Sequence, residues 1–479
     1  MPRLTRHMHT ARALATALLM AALPALWSQP APATAGRALE AWLEMFNSGD
    51  AAKARRFHEQ WIGEGDMPVE ERVQRELAMR KQSGGFTLLK VLEATNLRAA
   101  AQLRMNSSGE PFLVELELDP APPHRIVMIG LRPDESAAPP PQRLSAAEFP
   151  AAARKHLDEL AASGRFSGAV SVSRNGRELL RGAWGMADRE KKIPNRPDTK
   201  FNLGSMNKMF TAVAVARLAQ AGKLGFEDPV GKHLKDYPNR DVAEKVTIHH
   251  LLTHTGGTGD IFGPEFDRNI EKLRDLNDYV ALYGRRGLQF EPGSRWAYSN
   301  YGFILLGRII EQASGMSYYG YVRENIFLPA DMKNTASYWK TEEVENLARG
   351  YIAEPGAEPR RNDDTLPMRG TSAGGGYSTV DDLQRFAAAL LGHKLLDARH
   401  TALLVTPHAS TGRRGSYGYG FILGGEGPWK WFGHGGGAPG INSDLKIFPE
   451  SCYVVAVQSN LPPSAQRVSD WLARRLPEP

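Results

Sequence analysis

One segment limits the possible folds more than any other. From Met206 to Ala221 the chain is apolar nearly all the way round a helix, and Gly222 ends it. Such a helix must be covered on every side, so it predicts the central helix of a large layered domain. It opens on Ser205-Met206-Asn207-Lys208. Residues i and i+3 share a helix face, which puts the Lys208 amine over the Ser205 hydroxyl. A hydroxyl is a poor nucleophile until a base takes its proton, and a desolvated lysine that has lost its own proton is such a base. The unpaired N–H groups at the helix start can meet a developing oxyanion.

Ser-x-x-Lys alone is weak evidence, and it recurs at Ser337–Lys340 and Ser443–Lys446. Context separates the three. Ser337 follows a loop-like Asn334-Thr335, and Ser443 enters a strand, where i and i+3 face apart. Two further pieces supply what the first lacks. Tyr298-Ser299-Asn300 lies between the turn Glu291-Pro292-Gly293-Ser294 and an apolar helix, Tyr301 to Ala313. There Tyr298 can relay the serine proton and Asn300 can hold a substrate amide, although Tyr237-Pro238-Asn239 repeats the pattern idly. The third piece, Gly433-His434-Gly435-Gly436-Gly437, continues a strand at Trp429 to Phe432, and glycines on a strand let a ligand approach the backbone.

The rest of the chain organises around these pieces. Residues 1–35 read as a secretory signal: Arg3, Arg6 and Arg12, an apolar run from Ala13 to Trp27, and the small-x-small site Ala33-Thr34-Ala35. The run is too short for a membrane anchor, and no cysteine follows it for lipid attachment. Those arginines carry half of the chain's formal charge of +6. The remaining basic residues are scattered, so nucleic acid is not expected as a partner.

Residues 36–133 form helices at Leu39–Phe46, Phe57–Trp61 and Val69–Met79, followed by four strands: Phe86–Thr95, Arg98–Met105, Pro111–Leu118 and Arg125–Leu131. This small α+β unit resembles the nuclear-transport-factor-like cone fold and is expected to be an accessory domain. A stiff linker, 134–143, contains Pro139-Pro140-Pro141. Residues 144–479 open with a helix at Ser145–Ala162 and a hairpin around Asn175-Gly176. Strands return at Tyr417–Leu423, Trp429–Phe432, Leu445–Phe448 and Tyr453–Gln458, before a last helix at Ser464–Leu476. The fold class is therefore α+β: an antiparallel sheet closed by both ends of the domain, flanked by helices and carrying an inserted helical lobe. Cys452 is the single cysteine, which excludes a disulfide framework, and it is expected to be a small buried hydrophobe.

With all three motifs in this order, the chain from about Ser145 onward resembles the serine β-lactamase and penicillin-binding protein superfamily, nearest its class C and esterase-like branch. Blocks at Gly222–Val230, Thr247–Gly257, Phe290–Gly293 and Ser372–Ser378 add to the likeness. The resemblance implies Ser205 as nucleophile, Lys208 as its proton partner and Tyr298 as a second acid or base. It also implies that Asn300, His434 and Gly436 bind substrate, and that the N–H groups of Ser205 and Gly437 form the oxyanion hole.

One departure matters. The superfamily's third motif is typically Lys-Thr-Gly or Lys-Ser-Gly, whereas here it is His434-Gly435-Gly436. A histidine is mostly neutral at pH 7, so a substrate carboxylate loses its fixed counter-charge. The resemblance then implies an ester, an amide or a D-amino-acid peptide as substrate. A true β-lactamase or D,D-carboxypeptidase is an alternative, and so is a non-catalytic exported binding or sensor protein on the same fold. Oligomeric state is left open. No cofactor or metal is expected: His250 and His254 stand four apart but lack a third ligand. Two other motifs fail their context test. Gly370-Thr371-Ser372-Ala373-Gly374 lacks the preceding strand of a nucleophile elbow, and Gly435-x-Gly437-x-x-Gly440 lacks the helix of a dinucleotide fingerprint.

Overall fold

The computed structural model describes residues 34–62, 68–107, 109, 111–134, 142–352, 358–411 and 415–479. The chain divides into two compact units, residues 1–140 and 141–479. The candidate export signal lies outside the described residues except for Thr34 and Ala35, which begin the first helix, and linker residues 135–141 lie outside them too. Among the described residues no helix is long and apolar enough to cross a membrane.

The first unit has helices α1 (Thr34–Ser48), α2 (Ala51–Phe57) and α3 (Val69–Ser83). They are followed by strands β1 (Phe86–Ala94), β2 (Arg98–Met105), β3 (Pro111–Leu118) and β4 (Ile126–Pro133), joined in sequence as an antiparallel meander. The periodic face of α1, with Leu39, Trp42 and Phe46, packs in one core with Phe86, Leu103 and Val114. Asp50 caps α2, its Oδ1 accepting from the Ala52 N–H at 2.7 Å. The second expected helix is present but starts earlier: α2 runs to Phe57, and His58–Ile62 continue it as a π turn.

The second unit is built on an eight-stranded antiparallel sheet. Helix α4 (Phe149–Ala162) leads into β5 (Gly168–Arg174) and β6 (Arg177–Trp184). Their hairpin turns on Asn175 and Gly176 at φ of 51° and 74°, the pair of left-handed residues that a type I′ turn needs. The remaining strands come from the end of the chain: β7 (Ala409–Ser410), β8 (Ser416–Tyr417), β9 (Ile422–Gly424), β10 (Trp431–Ala438), β11 (Ile441–Phe448) and β12 (Tyr453–Ser459). The order is β7-β8-β9-β10-β11-β12-β5-β6, so the last strand pairs with the first and both ends close the sheet. The place of β12 in the sheet explains why Tyr453 to Val457 is continuously apolar. Tyr453, Val455 and Val457 enter one core with Phe149, Leu157 and Leu472, whereas Val454 and Ala456 enter the other with the helical region.

Between β6 and β7 lies the helical insertion. At its centre, helix α5 (Asn207–Gln220) is buried at nearly every position from Asn207 to Leu218, as its all-round apolar sequence requires. Two expectations are corrected. Tyr417–Leu423 is not one strand: Gly420 turns at φ 73°, and a Cβ on Gly418 would lie 2.2 Å from the Leu404 carbonyl oxygen. Cys452 is exposed rather than buried, because it sits at φ 60° in the turn between β11 and β12, where strand alternation no longer governs direction.

Candidate active site

Residues 204–206 form a single 3-10 turn that leads into α5 and presents Ser205 half-exposed. The turn is gripped from both sides. The Leu203 N–H donates to Gly376 O at 2.7 Å, the Gly375 N–H donates to Gly204 O at 3.1 Å, and Ser443 Oγ donates to Leu203 O at 2.6 Å. Gly204 adopts φ 51°, and a Cβ there would come within 3.0 Å of the Gly437 nitrogen. The backbone of β10 at Gly436 and Gly437 therefore lies against the turn that carries Ser205. Gly437 is exposed, and the Gly436 carbonyl accepts from Asn442 Nδ2 at 3.1 Å.

Lys208, one turn along, is 0% exposed. Its Nζ lies 2.7 Å from Asn300 Oδ1, 2.7 Å from the Ala373 carbonyl oxygen and 3.3 Å from Ser205 Oγ. Burial lowers its pKa to about 7, against the opposing pull of Asp260. A neutral amine has two hydrogens and one lone pair. The two carbonyl oxygens take the hydrogens, which leaves the lone pair for the Ser205 proton.

Asn300 starts helix α6 (Asn300–Ser314), and Ser299 caps it by accepting from the Gly302 N–H at 2.9 Å. Tyr298 precedes it. Burial pushes its phenol well above the usual range, and a hydrogen bond with Ser205 opposes that shift. The lysine Nζ stands 4.7 Å from the centroid of the Tyr298 ring. Ser205, Lys208, Tyr298 and Asn300 thus converge, and Gly436 and Gly437 border them.

His434 sits beside this cluster but is only 3% exposed. Its Nδ1 lies 2.5 Å from Gly435 O and its Nε2 lies 3.0 Å from the Tyr417 hydroxyl. The same hydroxyl lies 3.2 Å from His254 Nε2, and His254 Nδ1 accepts from the Ser299 N–H at 3.1 Å. The two backbone ends fix every proton between them. His254 must carry its hydrogen on Nε2 and donate to Tyr417. Tyr417 then donates to His434 Nε2, and His434 donates from Nδ1 to Gly435 O. Both ring nitrogens of His434 are therefore engaged within the protein, with no free donor for a ligand. Burial and the nearby Lys208 hold both rings neutral, His434 at about 3 and His254 well below its ordinary value.

The rival motifs resolve structurally. Lys446 is paired with Asp444 at 2.6 Å and Asp470 at 2.7 Å, not with Ser443. Tyr237 bonds the Tyr301 hydroxyl at 2.9 Å, and Asn239 caps a helix. Ser372 is 0% exposed and lies in a turn, with no strand before it. His250 accepts from the Thr247 N–H in a capping box. Among the described residues, no group of three or more His, Cys, Asp or Glu is placed to hold a metal. Sequence reasoning did not single out Asp260, the Ala373 carbonyl or Tyr417 as parts of the site. Only the last block of family likeness, Ser372–Ser378, hinted at the loop that carries Ala373.

Comparison with known proteins shows the family to which the second unit belongs. Residues 153–477 match the family model described as Beta-lactamase. The chain is 33% identical over 311 residues to penicillin-binding protein 4* of Bacillus subtilis, covering 60% of this chain and 68% of that one. It is 37% identical over 205 residues to esterase EstB of Burkholderia gladioli, covering 40% and 52%. The crystal structure of D-amino acid amidase from Ochrobactrum anthropi superposes with a TM-score of 0.57 at 26% identity, covering 68% of this chain and 97% of that one.

Proposed function

The chain belongs to the beta-lactamase family of serine hydrolases, and on that premise we propose that it hydrolyses an ester or amide through an acyl-Ser205 intermediate. The observation that carries this reading is the satisfaction of Lys208: two carbonyl oxygens at 2.7 Å and the serine oxygen at the remaining position. As Ser205 Oγ bonds to the carbonyl carbon, its proton passes to Lys208 Nζ. The carbonyl electron pair becomes an oxyanion, received by the N–H groups of Ser205 and Gly437. Tyr298, a phenol kept protonated by burial, gives its proton to the departing alcohol or amine as the carbon–leaving group bond breaks. The Lys208 ammonium restores the phenol. Water then attacks the ester, loses its proton to the Lys208–Tyr298 pair, and releases the acid and free Ser205.

The neutral state of His434 supports a substrate with no carboxylate at that wall of the site. Penicillin-binding protein 4*, esterase EstB and D-amino acid amidase are the similar proteins, and a neutral ester or an amino-acid amide suits this wall better than a penicillin or a peptide with a free terminal carboxylate. Export by the basic and apolar leader completes the proposal.

The test is fluorophosphonate labelling of wild type, Ser205→Ala and Lys208→Ala, together with turnover of p-nitrophenyl esters, D-amino-acid amides and a chromogenic cephalosporin. Rapid labelling of wild type, much slower labelling of Lys208→Ala and none of Ser205→Ala are expected. Equal labelling of Ser205→Ala would sink the assignment.

A further inference from the structure

Asn300 is useful to Lys208 only if its amide faces the right way. With Oδ1 toward the lysine it accepts one amine hydrogen. With the amide reversed, its NH₂ would donate to the lysine lone pair and remove it from Ser205. Something must hold the amide in the first orientation, and Asp260 is placed to do so.

The Asp260 carboxylate makes three bonds. Its Oδ1 accepts from the Ile261 N–H at 2.8 Å and from the Asn300 N–H at 2.9 Å, and its Oδ2 accepts from Asn300 Nδ2 at 3.1 Å. An ionised carboxylate is an acceptor only, so it selects the NH₂ end of the amide and turns Oδ1 to Lys208. The segment that carries it is itself anchored. The Gln289 N–H donates to Gly257 O at 2.8 Å, Arg286 Nη1 donates to Asp260 O at 2.8 Å, and Ser299 Oγ donates to Gly259 O at 2.5 Å. Gly257 turns there at φ 68°, where a Cβ would lie 2.4 Å from Phe290 O.

Resting on the reading of Ser205 and Lys208 as nucleophile and base, we propose that Asp260 is a positioning residue, which orients Asn300 so that the lone pair of Lys208 stays on Ser205. It also sets the basicity of the lysine. Beyond its three oxygen partners, the aromatic and titratable groups that face Lys208 among the described residues are the Tyr298 and Phe303 rings, His254, His434 and Asp260. The two histidines are held neutral and the Tyr298 phenol is kept protonated, so the carboxylate is the charge that favours the ammonium.

The measurement is the rate of Ser205 phosphonylation by a fluorophosphonate, with loss of fluoride, from pH 5 to 9 in wild type, Asp260→Asn and Asp260→Glu, with Ser205→Ala alongside. In Asp260→Asn an NH₂ replaces Oδ2, opposes the Asn300 NH₂ and removes the charge. The plateau rate is expected to fall roughly 10- to 100-fold, and the midpoint of the acid limb to move roughly one pH unit lower. Asp260→Glu keeps the charge and is expected to keep the wild-type midpoint at a reduced rate. If Asp260→Asn does not fold, Asp260→Glu decides alone: a midpoint displaced from wild type overturns the proposal. So does an Asp260→Asn profile with the wild-type midpoint, whether or not its rate falls. Loss of labelling in Ser205→Ala together with either result discards Asp260 alone, whereas labelling retained in Ser205→Ala discards the nucleophile.

Discussion

The hydroxyl of Tyr417 lies 3.0 Å from Nε2 of His434, and this bond sets the character of the wall formed by β10. It closes a chain of neutral donors and acceptors that runs from the Ser299 N–H through His254 and Tyr417 to Gly435 O. The chain ties the start of α6, which carries Asn300, to the strand that carries Gly437. Replacing Tyr417 with Phe leaves a buried donor on His254 and a buried acceptor on His434 without partners. Each such group costs about 1–3 kcal/mol. Tyr417→Phe is therefore expected to lose that much or more in urea unfolding, and to retain Ser205 labelling at a lower rate. Wild-type stability in that variant would mean the hydroxyl bridges nothing.

Acylation should follow the protonation of Lys208. With a pKa of about 7, the amine is charged below that pH and holds no lone pair for Ser205. The rate should rise about tenfold per pH unit on the acid side and level off above pH 7. Lys208→Ala should lower the plateau by roughly 10²- to 10⁴-fold and abolish the limb. Stopped-time labelling across pH measures both. A limb that persists in Lys208→Ala would move the base elsewhere.

What the sequence revealed and what it hid have physical causes. Ser205 and Lys208 are three residues apart on one helix, and Tyr298 and Asn300 flank one cap, so local spacing brings each pair together. The strands of the sheet were legible because residues such as Val454 and Val455 must satisfy two apolar faces. Asp260 and Ala373 were not legible: one acts from a loop held by backbone bonds, and the other offers only a carbonyl that every residue possesses. Tyr417 reaches His254 across 163 residues, a contact that exists only once the sheet is folded. The misreading of Cys452 has the same root, since residue type suggested burial where a turn decides exposure.

Neutrality at His434 should appear as charge selectivity. A carboxylate brought against this buried wall finds no fixed cation and must shed water uncompensated. An uncharged ester or amide is expected to exceed its carboxylate-bearing analogue in kcat/KM by at least about tenfold, a difference of about 1.4 kcal/mol. His434→Lys should narrow that ratio. It should also push the acid limb of acylation lower, because a second ammonium disfavours the charged form of Lys208. A wild-type preference for the carboxylate partner would contradict the neutral assignment.

Gly204 carries two constraints that a control can separate. Its φ of 51° is strained for any side chain, and a Cβ would also press on the Gly437 nitrogen at 3.0 Å and on Gly436 Cα at 3.2 Å. Gly164 has a similar φ of 68° with nothing within 4 Å of the added atom. Both Gly→Ala changes should lose about 1–2 kcal/mol from the left-handed backbone. Only Gly204→Ala should also slow acylation, by roughly tenfold or more, because parting the Ser205 turn from β10 spoils the distance between the two N–H groups proposed as the oxyanion hole. Thermal unfolding and labelling rates of the two variants, taken together, check this. Equal acylation in both would show that the close approach of Gly204 to Gly437 has no part in catalysis.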